Sequence, residues 1–181
     1  MHPPRTPDTS PLVPSTPPHL ALEFLSQARY LSGARDLVSA VSKRFGFDEQ
    51  DCGRIALAVD EALCNVIRHG YDRRTDGRIW VYIWPLEETS RSGNADEHAG
   101  GIRVVIEDEA KQVDPEKIRS RDLDDIRPGG LGVFIMQQVM DTVVFEPRAG
   151  RKTGMRLVLV KAVSTAEARI ASGAGDHGHH G

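Results

Sequence analysis

Residues 60–71, DEALCNVIRHGY, place Glu61, Asn65 and His69 at intervals of one turn along the edge of a predicted apolar helix. A carboxylate that faces a cleft can act as a general base, and a carboxamide oxygen can bind a hard cation such as Mg²⁺. The alternative is an ordinary helix boundary, where polar side chains border the core and face water. The apolar stripe beside them consists of Ile55, Val59, Ala62, Leu63, Val66 and Ile67.

Two further segments carry groups that suit a ligand. The sequence GGLG, with Gly129, Gly130 and Gly132, precedes a predicted helix, where glycines and the helix N-terminus favour an anion. Its spacing matches neither the P-loop nor the dinucleotide fingerprint. A predicted strand ends at Asp108, whose carboxylate can accept a hydrogen bond from an adenine amino group or begin a turn.

The elements that must position these groups follow from periodicity and from glycine and proline punctuation. The segments predicted to form helices are 28–46, 48–70 (ending at Gly70) and 129–141. Those predicted to form strands are 19–26, 78–84, 101–108, 142–147 and 154–162, the last two as a hairpin. The domain spans 19–162, between a disordered Pro-rich arm (1–18) and a flexible tail (163–181) that contains histidines.

Composition excludes several classes of protein. A net charge of −3 does not favour binding to nucleic acid or to an anionic membrane surface. No apolar run reaches the roughly 18 residues of a membrane span, and no signal peptide is recognisable. Cys52 and Cys64 lie on one predicted helix, roughly 18 Å apart, too far to form a disulfide. We therefore expect a cytoplasmic protein.

The order of these features resembles that of the GHKL ATP-binding superfamily, which includes gyrase, heat-shock chaperones, histidine kinases and mismatch-repair ATPases. Within it, ALAVDEALCNVIRHGY and GGLGVFIMQQVMDTVVFEP are similar to the small anti-sigma regulatory factors, which are serine-protein kinases. The resemblance covers residues 20–162. It implies ATP and Mg²⁺ as cofactors.

The resemblance also implies roles for single residues. Glu61 would be the catalytic base, Asn65 the Mg²⁺ ligand, and Asp108 the residue that recognises adenine. Gly130 and Gly132 would cradle the phosphates. The rest of the implied nucleotide-binding set is Ala110, Gly129, Leu131 and Thr153, while His69 and Tyr71 would support the end of the helix.

One position departs from the family pattern, which has Asp-x-Gly at the adenine site. Here the residues are Asp108, Glu109 and Ala110, and the pattern then continues with Val113 and Asp114. If this position requires a positive φ, alanine costs on the order of 1 kcal/mol or more.

The implied fold is α+β, a two-layer sandwich of the histidine-kinase-like ATPase (Bergerat) type. About five mostly antiparallel strands would carry about three helices on one face. The implied function is a serine/threonine protein kinase that phosphorylates an anti-sigma-antagonist (STAS-type) protein and sequesters a sigma factor. The alternatives are a non-catalytic partner-switching module with weakened nucleotide binding, and the ATPase domain of a histidine kinase.

The strand at 78–84 predicts two different faces. Alternation places Ile79, Val81 and Ile83 under the helices, and it places Trp80, Tyr82 and Trp84 on the side that no helix covers. A contiguous aromatic surface usually marks an interface, so we expect a homodimer through this face. The alternative is that the arm or the tail covers it.

Overall fold

The computed structural model describes residues 12–86, 100–115, 131–148 and 150–163. The strands are β1 (Leu20–Leu25), β2 (Arg78–Leu86), β3 (Gly101–Asp108), β4 (Thr142–Pro147) and β5 (Met155–Ala162). The helices are α1 (Leu31–Arg44), which follows a 3-10 turn at Ala28–Tyr30, α2 (Glu49–Asn65), which continues as a π-helical turn at Val66–Gly70, and α3 (Leu131–Val139).

The strands form one sheet in the order β1-β2-β3-β5-β4, and every neighbouring pair is antiparallel. The predicted α+β class is therefore confirmed, as is the closing hairpin of β4 and β5. None of the helices in the described ranges is long and apolar enough to cross a membrane.

The core lies between the helices and the inner face of the sheet. Ile79, Val81 and Ile83 of β2 belong to this core, as their alternation predicts, and the predicted α2 stripe packs against them. Ile55 and Leu63 of α2 are fully buried. Each such side chain contributes roughly 1.5–3 kcal/mol through burial. This packing fixes the rotation of α2, and with it the direction in which its polar edge points.

The end of the long helix differs in detail from the expectation. Gly70 is not in the left-handed region, whereas Asp72 (φ 49°) and Arg73 (φ 62°) are. The reason is the wider π-helical turn, in which the Tyr71 N–H donates to the Val66 carbonyl 2.9 Å away. Gly70 therefore does not end the helix through a positive φ.

The outer face of the sheet is covered, contrary to the expectation of a bare surface. The three aromatic side chains of β2 are buried there. Leu12 and Val13 pack against them, and the Trp84 indole N–H donates to the Thr16 carbonyl 3.1 Å away. The reason is that Leu12 and Val13 are apolar and pack on an apolar face of the sheet. The Trp84 indole N–H on that face also requires a hydrogen-bond acceptor when it is buried, and the same Pro-rich stretch supplies one. This part of the predicted disordered arm is therefore ordered, and the homodimer stays a prediction without a bare face to support it.

The outer face also carries a row of paired charges across β3, β5 and β4. Arg156 donates from Nε to Glu107 (2.8 Å) and from Nη1 to Glu146 (3.1 Å). Arg148 approaches the other oxygen of Glu107 at 3.3 Å. The side chains of Arg156 and Glu107 are only 1% and 2% exposed, so each charge depends on its partner for the solvation that water would otherwise supply.

Replacing Arg156 with methionine should therefore destabilise the fold strongly, because it leaves the Glu107 carboxylate buried with less compensation. We expect a loss of about 3–5 kcal/mol in the free energy of unfolding, measured in urea. The matched control is Lys43→Met, at a pair with Glu49 whose side chains are 65% and 89% exposed, which should cost less than about 1 kcal/mol. Equal losses in the two variants would contradict this account of the buried pair.

Candidate functional site

The first part of the site is the contact between α2 and α3. A Cβ built on Gly132 of α3 would lie 2.8 Å from Glu61 Oε2 and 3.1 Å from Asn65 Nδ2. A side chain at this position would displace the Glu61 carboxylate and the Asn65 amide, so glycine lets both groups keep these positions against α3. The predicted base, the predicted Mg²⁺ ligand and one predicted phosphate-binding glycine are thus brought together. Glu61 and Asn65 are half-buried on the edge of α2.

Other residues of the predicted phosphate-binding set are not brought into this contact. Leu131 begins α3 and is 67% exposed. Gly129 and Gly130 lie outside the described residues. His69, the third polar residue of the predicted line, lies in the π-helical turn and is exposed.

The second part of the site is the end of β3, where Asp108 is buried. Its Oδ1 accepts hydrogen bonds from the backbone N–H groups of Ala110 (2.8 Å) and Met155 (3.1 Å). No donor to Oδ2 is found in the described part of the chain, so this oxygen is left to accept from a ligand. Burial raises the pKa of Asp108, although the two N–H groups and Arg148 oppose the shift.

Ala110, where the family pattern has glycine, is not strained. Among the described residues, the non-glycine residues with positive φ are Asp72 and Arg73, so Ala110 has an ordinary backbone conformation. Its carbonyl accepts from the Gly154 N–H at 2.6 Å. The expected conformational cost of alanine at this position is therefore absent.

The start of β5 approaches Asp108 closely. Gly154 has a φ of 93°, and a Cβ there would overlap the Asp108 carbonyl oxygen. The residue that reaches the Asp108 carboxylate is Met155, through its backbone N–H, whereas the predicted Thr153 is exposed. The sequence analysis did not identify Met155, because a backbone donor leaves no signature in the side chain.

Arg148 was also missed. Its Nη1 donates to the Asp108 carbonyl at 2.9 Å, its side chain is 3% exposed, and its guanidinium lies 5.0 Å from the centre of the Trp80 ring. An arginine in a turn between two strands normally faces water. No local feature of the sequence therefore indicated its burial.

Tyr71 links the end of the π-helical turn to the sheet. Its hydroxyl donates to the Arg78 carbonyl and accepts from the Glu109 N–H at 2.8 Å. Burial raises the pKa of Tyr71 to about 12. A Cβ on Gly77 would overlap the Tyr71 ring, so that glycine lets the loop pass over the ring. These contacts agree with the supporting role expected for Tyr71.

A cavity of about 560 Å³ opens beside the turn at the end of β3. This volume is within the range of small-molecule sites. Its lining includes Gly70, Tyr71, Glu109, Ala110, Lys111, Lys152 and Thr153. Glu61, Asn65 and Asp108 do not line it, so it adjoins the predicted adenine-recognising turn and lies apart from the contact of α2 with α3.

The raised pKa of Asp108 predicts a pH dependence of stability. The neutral carboxyl contributes stability that is fully present below the unfolded-state pKa of about 3.9 and is lost as the pH rises through the higher folded-state pKa. Asp108→Asn lacks this dependence. Urea titrations at several pH values measure the free energy of unfolding of this variant minus that of the unaltered chain. The difference should increase as the pH rises above about 3.5, and it should then become constant.

The control for that measurement is Asp36→Asn, which removes a charge at a side chain that is 74% exposed. If the stability of Asp108→Asn relative to the unaltered chain falls or stays constant as the pH increases, burial does not determine the pKa of the Asp108 carboxyl.

Comparison with known proteins adds independent findings. Residues 24–161 match the family model of the histidine kinase-like ATPase domain. The serine-protein kinase RsbW of Staphylococcus aureus strain RF122 is 28% identical over 145 residues, which cover 75% of this chain and 84% of that protein. The proteins of the same name from strains MRSA252 and JH9 match with the same identity and coverage.

Proposed function

Because the chain belongs to the histidine kinase-like ATPase domain family, we propose that it is an ATP- and Mg²⁺-dependent serine/threonine protein kinase. The observation that supports this most is the meeting of Glu61 and Asn65 with Gly132 across two helices. A carboxylate and a carboxamide beside a glycine in the first turn of a helix can supply the base and the metal ligand for phosphoryl transfer to a hydroxyl. The similar RsbW proteins are named as serine-protein kinases.

Each residue then has one task. Glu61 accepts the proton of the acceptor hydroxyl as that oxygen forms its bond to the γ-phosphorus of ATP, while the bond from this phosphorus to the oxygen of the leaving ADP breaks. The Asn65 amide oxygen would hold Mg²⁺, and the ion would neutralise charge on the phosphates. Gly132, in the first turn of α3, lets Glu61 and Asn65 lie close to the helix N-terminus at which the phosphates would bind. Asp108 Oδ2 accepts a hydrogen bond from the adenine amino group.

The proposed partners follow from the resemblance to anti-sigma regulatory factors. The acceptor is a serine or threonine on a small antagonist domain of the STAS type, and the kinase alternately sequesters a sigma factor. It acts in the cytoplasm as a homodimer. The non-catalytic alternative rests mainly on Ala110, and the ordinary backbone conformation of that residue weakens it.

Binding of nucleotide is the first test. The protein should bind ATP and ADP in calorimetry only with Mg²⁺, and saturating nucleotide should stabilise it by about RT ln(1 + [L]/Kd). Asn65→Ala removes the metal ligand, so it should weaken this binding. Gln50→Ala, which removes an exposed carboxamide near the start of the same helix, is the control and should bind as the unaltered chain does. If nucleotide binds equally well without Mg²⁺, or if Asn65→Ala binds it normally, Asn65 is not a ligand of the metal ion.

Catalysis is tested separately with Glu61→Gln, which preserves size but removes the base. Transfer of labelled phosphate from ATP to the antagonist domain should fall by roughly 10²- to 10⁴-fold, while ATP binding is retained. Glu49→Gln, at an exposed position in the first turn of α2, controls for loss of a carboxylate from this helix. Unchanged phosphorylation by Glu61→Gln would show that Glu61 is not the base.

A further inference from the structure

Gly70 faces the alanine that departs from the family pattern. A Cβ built on Gly70 would lie 3.0 Å from the Cβ of Ala110, well inside the roughly 3.5–4.0 Å of a favourable contact between two carbons. We infer that the missing side chain of Gly70 compensates for the methyl group of Ala110, and that this fit positions the Asp108 turn. The inference rests on the proposed function, because it assigns Gly70 to the adenine end of that site.

The backbone of Gly70 does not explain the glycine. Its φ is not positive, and it lies in a π-helical turn that an alanine can adopt. Alanine is preferred to glycine in helices by about 0.8–1 kcal/mol. Local conformational preference therefore argues against glycine at position 70, and the space that glycine provides is what remains to account for it.

Ala110 cannot retreat from that space. It is 5% exposed, its N–H donates to Asp108 Oδ1 (2.8 Å), and its carbonyl accepts from the Gly154 N–H (2.6 Å). A shift of Ala110 would thus break a bond to the Asp108 carboxylate or one to the start of β5. The turn from Asp108 to Ala110 is consequently held as one unit.

The other side of the contact is also fixed. Tyr71, which follows Gly70, is held by its hydroxyl to the Arg78 carbonyl and the Glu109 N–H. Because both backbones are anchored, a methyl group added at position 70 must push the turn that carries Asp108, or pull the helix end that follows Asn65. Either displacement alters the distance between the two ends of the proposed nucleotide site.

A swap of methyl groups tests this directly. The four proteins are the unaltered chain, Gly70→Ala, Ala110→Gly and the double variant, which conserves the number of methyl groups across the contact. Gly70→Ala should raise the Kd and KM for Mg·ATP by at least about fivefold without lowering kcat, because Glu61 lies at the other end of the site. The double variant should return both constants to within about threefold of the unaltered chain.

The matched control is Gly53→Ala, a helical glycine whose added Cβ would meet no atom within 4 Å. It should bind Mg·ATP normally and melt at the same temperature or higher, since the helical preference for alanine acts there without a steric cost. Urea unfolding of the four nucleotide-free proteins measures the contact itself, and the effects of the two single changes should not be additive.

The outcomes separate the inference from the proposed function. Normal ATP binding by Gly70→Ala, or additive effects in the double variant, would overturn the inference. The two changes could also be non-additive in the free energy of unfolding while Kd and KM stay unchanged. That result would show that the residues pack together without positioning the Asp108 turn, and it would overturn the inference too. If Gly70→Ala does not fold, a double variant with normal ATP affinity supports the inference, and an unfolded one contradicts it. If the unaltered chain binds no nucleotide, the proposed function fails, and with it the positioning role, while non-additive unfolding would still establish the contact.

Discussion

Two backbone N–H groups donate to one oxygen of Asp108, and a buried arginine binds the carbonyl of the same residue. These bonds tie the end of β3 to the start of β5 and to the turn after β4. An unsatisfied buried partner costs about 1–3 kcal/mol, so the three segments keep their relative positions. The second oxygen of the carboxylate therefore has a defined direction, and the glycine at position 154 is a consequence of how closely the strands approach there.

The residues on the helices are positioned by packing instead of by hydrogen bonds. The position of α2 is set by its apolar stripe against the sheet, and Gly132 permits α3 to lie against its polar edge. One end of the site is thus built from strand termini and backbone hydrogen bonds, and the other from helix packing. The π-helical turn between Val66 and Gly70 joins the two, because it leads from Asn65 towards the turn that contains Ala110.

Periodic features of the sequence predicted the fold well. The bounds of β3 and β4 agree with the expected strands, and the line of Glu61 and Asn65 follows from helical geometry alone. Contacts between distant segments could not be predicted in this way. The burial of Arg148 depends on Glu107 and Trp80, which are remote in sequence. The packing of Val13 on the sheet could not be predicted, because the residues around it have the composition of a disordered arm.

The placement of the two tryptophans has a spectroscopic consequence. Both belong to β2 and lie on the outer face, across the sheet from the helices that carry Glu61 and Gly132. Indole fluorescence of this protein therefore reports the environment of the covered face. The Arg148 guanidinium contacts the Trp80 ring and the Asp108 carbonyl together, so a displacement of Asp108 on one face can alter the surroundings of an indole on the other.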